Sequence, residues 1–452
     1  MKLIAILTML GATLTAAPGP TWTACDDKDL DEANARCTTV RVPLDYSDPT
    51  GRQIELTVSR IPAKHKRGVL LVNPGGPGGP GLNYPLQLKP LLGEVADQYD
   101  LIGVDVRFTG RSTPLTCGPV VPADLFGTPK TRTEFAQATR RAKAYAAGCT
   151  DDRLKHASIT NAARDLDAIR QALQEPKISY YGVSWGADLG IVYSQLFGRY
   201  VDRMVVDSVT NVEGSEYDHL NTGHRKEIAF DEWAAWVAWR HDQYHLGETV
   251  AAVRKTVERL RDKPFTLGAY RIKPVDVPFL VQGSLGDESD YPAMAENVAA
   301  MVYRKTPPES LAGLLQLYYE GADGLDSYFA ASFGYLCNDR GWPTGPAPYW
   351  REITRTKQRI FSPGILPCAF WPHHTNEKPI TIGNDVPLLI VQAERDDIPL
   401  QWARSLHRKL SRSSLVTTDR RAHGVYDERV PCIVKTVNTY LTTGTHPADT
   451  CP

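Results

Sequence analysis

Neither sign of charge is in surplus in this chain. Lys and Arg number 51 against 52 Asp and Glu in 452 residues, a formal net charge of −1. Phosphate binding needs a basic surplus, so nucleic acid is excluded as the main partner. Long apolar runs are also missing. The one apolar stretch, from Leu3 to about Ala17, is too short to span a bilayer, so no stable membrane insertion is expected. No internal repeat and no low-complexity tract occurs, and no two cysteines stand in the close C-x-x-C spacing of a zinc or redox site. What remains is ordinary globular material, 42% apolar and 23% charged, which also excludes disordered and collagen-like chains. Its length suits about three domains, or one large core with an inserted lid.

The N-terminus carries one positive charge at Lys2, the short apolar stretch, and then Ala16-Ala17 before Pro18, Gly19 and Pro20. This is the pattern of an export signal, with the leader expected within residues 1–24. The eight cysteines are Cys25, Cys37, Cys117, Cys149, Cys337, Cys368, Cys432 and Cys451. An even number in an exported chain predicts disulfides and a secreted, extracellular setting. The expected pairing follows sequence order.

Short apolar runs at 38–43, 53–60, 68–73, 99–106, 178–183, 204–207, 387–392 and 414–418 read as strands. They alternate with helical patterns, which predicts an α/β fold: a mostly parallel central sheet with helices on both faces. Between about 212 and 375 the rhythm changes. Segments 230–245, 248–263, 293–304 and 311–319 have helical spacing, so a mainly helical cap is expected there. The core then falls into two parts, 25–211 and 376–452.

The run Ile178 to Val183 leads into Gly182-Val183-Ser184-Trp185-Gly186, and a helical pattern follows. A serine on a sharp strand-to-helix turn crowds its neighbours, so glycines flank it, and its hydroxyl is presented beside the positive end of the helix. Ser184 is therefore the candidate nucleophile. Residues 73–81 follow an earlier strand with five glycines and three prolines. No G-K-[ST] follows, and the prolines remove the amides a phosphate would need, so this is not a phosphate loop. It suits an oxyanion hole, with Gly76 supplying one amide and Trp185 the other. The acid is expected after the strand at 387–392, where Glu394, Asp396 and Asp397 compete; Asp396 is preferred. His423, in Arg421-Ala422-His423-Gly424 after the last strand, completes the order serine, acid, histidine. His373-His374 stands before the acid, in the wrong order, and His407 is expected on a helix surface.

At these residues the chain resembles the α/β-hydrolase fold, and more narrowly the secreted tripeptidyl-aminopeptidase-like group, whose relatives include proline iminopeptidases. The resemblance rests on Val42-Pro43-Leu44-Asp45-Tyr46, the glycine loop, 104–112, 182–190, 200–207, Cys337-Asn338-Asp339 and the tail with Asp396 and His423. It implies serine hydrolysis with no metal and no cofactor, acting on a small peptide, amide or ester, usually by releasing N-terminal residues. It also implies Ser184, Asp396 and His423 as the triad. Two departures stand out: Phe108 replaces a glycine of the D-x-R-G-x-G-x-S loop, and Asp397-Ile398-Pro399-Leu400 replaces Pro-Val-Thr-Pro. An exopeptidase must also hold a free α-ammonium, for which a roof carboxylate is suited. The candidates are Asp339, Glu320 and Asp323, with Asp339 preferred.

Overall fold

The computed structural model describes residues 19–214, 223–283, 285–339, 341–356, 359–361, 364–373, 380–445 and 450–451. The expected leader at 1–24 lies largely outside these, as does His374. The architecture is one nine-stranded sheet in the order β1-β2-β4-β3-β5-β6-β9-β10-β11. The strands are β1 (Arg36–Pro43), β2 (Gln53–Ile61), β3 (Gly68–Asn73), β4 (Tyr99–Val104), β5 (Ile178–Val183), β6 (Val201–Asp207), β9 (Leu388–Ala393), β10 (Ser413–Thr418) and β11 (Thr450–Cys451). Within this sheet β1–β2 and β2–β4 pair antiparallel, and the other pairs are parallel. Parallel strands need long crossovers, and helices supply them, burying both faces in two apolar clusters. The central strands are accordingly almost wholly buried.

Parallel strands place all their C-terminal ends along one edge, where loops collect. The strand expected at 99–106 stops at Val104. The next residue, Asp105, still donates its N–H to Thr57 O on β2 at 3.2 Å and turns its carboxylate to loop amides.

The helical expectation for the insertion holds at Gly223–Ala238, Val250–Arg259, Tyr291–Tyr303 and Glu309–Glu320, with a small hairpin of β7 (Phe265–Leu267) and β8 (Tyr270–Ile272). These elements bury their own cluster around Phe230, Trp233, Val257, Met301 and Tyr318. The expected cap boundary at 375 differs from the packing. Helix Leu325–Asp339, together with Cys368 and Trp371, packs into the main core rather than the cap cluster. Phe329, Phe333 and Tyr335 are the reason: they pack on Phe126, Tyr145 and Trp185 of the main core. Four disulfides close in sequence order: Cys25–Cys37, Cys117–Cys149, Cys337–Cys368 and Cys432–Cys451.

Candidate active site

Ser184 sits between β5 and the helix Trp185–Phe197 with φ 59° and ψ −127°. A non-glycine residue in that region is strained and persists only where its surroundings fix it. They do so here. A Cβ on Gly182 would lie 2.3 Å from Gly186 O, and one on Gly186 would lie 2.6 Å from Asn73 O. The Ser184 N–H donates to Asp207 O at 2.9 Å, and its carbonyl accepts from Ala187 N–H at 2.9 Å. The side chain is half-buried and stands at the positive end of a buried helix.

Loop 73–81 is pressed against this turn. At Gly75 φ is +86°, and a Cβ there would lie 2.4 Å from Val183 O and 3.2 Å from Trp185 N. The buried Asn73 side chain accepts the Gly75 N–H at 2.9 Å, which ties the start of the loop to the end of β3. At its far end the loop is held by Asp105, whose Oδ1 accepts Gly81 N–H at 2.9 Å and Leu82 N–H at 3.0 Å. The Trp185 indole packs on Tyr335 with ring centres 4.7 Å apart, and Tyr335 donates to Arg107 O at 3.0 Å. Arg107 is itself fully buried, paired with Asp165 through Nε at 2.7 Å and Nη2 at 2.6 Å.

Asp396 follows β9 and is fully buried. Its Oδ2 accepts from Gln392 at 2.9 Å and its Oδ1 from Ile398 N–H at 2.9 Å. His423 Nδ1 lies 3.1 and 3.2 Å from the two oxygens. An ionised carboxylate at Nδ1 selects the tautomer that leaves Nε2 free to take a proton. Burial opposes a charge on His423. The Asp396 carboxylate, with Asp207 and Asp397 behind it, outweighs that and raises the imidazole to about 9.

Asp207, the last residue of β6, joins the parts. Its carbonyl takes the Ser184 amide, while its carboxylate takes Val425 N–H at 2.8 Å, Tyr426 N–H at 3.0 Å and the Tyr181 hydroxyl at 3.0 Å. Gly424, at φ +85°, donates to Ser208 Oγ at 2.8 Å, and a Cβ on it would meet Val183 at 3.3 Å. The histidine loop is thus clamped beside the serine turn. Burial raises Asp207 to about 6, against the amides and Tyr181 that favour its charge.

The sequence rivals have other partners. His373 Nε2 lies 2.7 Å from Cys149 O, and His407 Nδ1 lies 2.8 Å from Ser413 Oγ. Glu394 accepts from Thr417 at 2.9 Å, and Asp397 pairs with Arg421 at 3.5 Å. The roof carboxylates proposed for an ammonium are engaged or solvated. Asp339 accepts Ile159 N–H at 2.8 Å at the start of helix Ile159–Ala172. Glu320 is exposed and accepts from Tyr270, and Asp323 is exposed. Their contacts are not with the loops of Ser184 or His423. Sequence reasoning passed over Asp207, Gln392 and Asn73. The available signal was a polar residue at or near the C-terminal end of an apolar strand, where loops converge.

The model of TAP-like proteins matches residues 354–451. A tripeptidyl aminopeptidase of Streptomyces lividans is 34% identical over 96% of this chain and 86% of its own length. The serine protease Hip1 of Mycobacterium tuberculosis is 26% identical over 94% of this chain and 89% of its own. A protein of the same organism named carboxylesterase B is 29% identical over 95% of this chain and 89% of its own. With the α/β-hydrolase topology and a relative of that identity along nearly its whole length, the chain belongs to the tripeptidyl aminopeptidase-like family of α/β-hydrolases.

Proposed function

We propose that the chain is an exported serine exopeptidase that releases short N-terminal pieces from peptides with a free amine, through an acyl-enzyme. The observation that supports this reading is that Asp207 is tied to both the turn of Ser184 and the loop of His423, while His423 Nδ1 lies 3.1 Å from Asp396. In the proposed cycle His423 Nε2 takes the Ser184 proton as Oγ bonds to the substrate carbonyl carbon. The oxyanion lies between the Gly76 and Trp185 amides, each worth about 10²–10³-fold in kcat. His423 then gives its proton to the leaving amine nitrogen as the C–N bond breaks. Water, deprotonated by His423, attacks the acyl-enzyme, and Oγ leaves with the proton returned.

The four disulfides support an oxidising, extracellular setting. Among the described residues no helix is long and apolar enough to cross a membrane. The name of one relative, carboxylesterase B, favours a second reading, hydrolysis of a small ester or amide. One assay separates the two. Purified protein and Ser184→Ala are given free-amine mono-, di- and tripeptide amides, their N-blocked forms and short esters. Cleavage confined to free-amine peptides and lost in the variant is the expected result. Ester cleavage without a free-amine preference moves the conclusion to the second reading. Silence on all of them, without labelling by an active-serine phosphonate, refutes both.

A further inference from the structure

The cap meets the loops of Asp396 and His423 through charged contacts that no step above uses. Glu232, on helix Gly223–Ala238, accepts from Arg421 Nε at 2.8 Å and Nη2 at 3.1 Å, and from Arg395 Nη1 at 3.3 Å. Arg395 immediately precedes Asp396, and Arg421 stands two residues before His423. The Arg421 side chain is only 2% exposed, so its pair with Glu232 is not an ordinary surface bridge. A second cap segment, 287–290, reaches the same loops. Glu288 accepts from Arg395 at 2.8 Å, pairs with Arg420 at 3.4 Å, and donates its N–H to Arg421 O at 3.1 Å. Arg225, on the Glu232 helix, donates to Asp396 O from Nε at 3.0 Å and Nη2 at 2.6 Å.

We propose that Glu232 is a positioning residue: by bridging Arg395 and Arg421 it sets the spacing of the Asp396 and His423 loops, which makes the cap part of the catalytic geometry. The inference rests on the serine-hydrolase reading. The two loops follow the paired strands β9 and β10 and stay joined just beyond them, where Arg395 N–H donates to Arg420 O at 3.2 Å and Arg395 Nε pairs with Asp419 at 3.1 Å; further out, the contact between Asp396 and His423 itself is 3.1 Å. A carboxylate gripping both from outside the sheet limits their separation. Removing its charge leaves Arg421 buried beside Asp397 alone, at 3.5 Å, and the loops must adjust. A misplacement of about 1 Å costs on the order of 10²-fold.

The test compares Glu232→Gln, Glu232→Asp and Glu227→Gln, each normalised to active sites counted with a fluorophosphonate. Glu227 is on the same helix but holds Arg254 and the Phe361 N–H, away from the loops. Glu232→Gln is expected to lose about ten- to a hundredfold in kcat with KM for a one-residue substrate unchanged. Glu232→Asp recovers part of this loss, and Glu227→Gln keeps its kcat. Arg395→Gln breaks the same bridge from its half-exposed side should Glu232→Gln fail to fold. Unchanged kcat in a labelled Glu232→Gln, or an equal loss in Glu227→Gln, overturns the proposal alone. A wild type that does not label overturns the hydrolase reading and the proposal with it.

Discussion

Asp207→Asn separates the two things Asp207 does, bracing the histidine loop and placing a negative charge near His423. The replacement is nearly isosteric. With its oxygen in the place of Oδ2, Asn can still accept from Val425, Tyr426 and Tyr181. Its amide then faces Ser208 Oγ, which lies 3.2 Å from Oδ1 and can accept. Charge-assisted bonds become neutral ones, a loss of about 1 kcal/mol each. Against this, the burial of the charge is relieved. Asp207 is raised from 3.8 to about 6, about two units, so the folded state binds its proton more tightly than the unfolded one. Stability therefore falls by about 3 kcal/mol as pH rises from below 4 to above 6, and the variant lacks this slope. The two effects nearly cancel at neutral pH. The catalytic effect does not cancel. His423, at about 9, must be neutral to act, so kcat/KM rises with pH through that value. With one of its three negative neighbours removed, the acidic limb moves to lower pH, by about half to one unit. The assay is kcat/KM against pH for both proteins, with urea unfolding at acid and neutral pH. A limb that stays in place while stability drops steeply would refute the electrostatic part and leave Asp207 a brace.

Gly75→Ala drives a Cβ to 2.4 Å from Val183 O and 3.2 Å from Trp185 N at a φ that alanine disfavours. The glycine loop must back away from the serine turn, and kcat is expected to fall by about 10²-fold with little change in KM, as single-turnover acylation would report. Arg107→Met leaves Asp165 buried without its bidentate partner, with the Tyr46 hydroxyl and the nearby Arg164 charge remaining. Unfolding in urea should then show a loss of about 3–5 kcal/mol.

How far the site is legible in the sequence depends on whether its logic is local. The serine turn is partly local: Gly182 records a clash with Gly186 O four residues on, whereas Gly186 records one with Asn73 O at the end of β3, so the spacing reports the turn but not the loop pressed against it. The choice among Glu394, Asp396 and Asp397 is not. All three are adjacent acids, and they part only because Gln392, one turn of chain away, and Ile398 N–H capture Asp396, while Thr417 on β10 draws off Glu394. Asp207 is less legible still. Tyr181 lies 26 residues before it, but Val425 and Tyr426 lie 218 and 219 residues after it, and only the order of the parallel strands brings their loop to it. The surroundings of Asp339 are illegible for a related reason. A motif shows that the residue is there, but its partner, the amide of Ile159, is set by how helix Leu325–Asp339 packs.

The cap cluster runs between about 229 and 318, with Ala123, Ile360 and Phe361 added, whereas helix Leu325–Asp339 stays with the main core. The cap therefore carries most of its own apolar centre. A graft moved onto a related core must still match it at Ala123 and at Phe126, whose ring stacks on Phe279 at 5.9 Å. What it must bring is the matching set of acids, Glu232 and Glu288, for the arginines waiting at 395, 420 and 421. New substrate ranges can then arise in this lineage by trading roofs, and the charge match decides which trades yield a working enzyme.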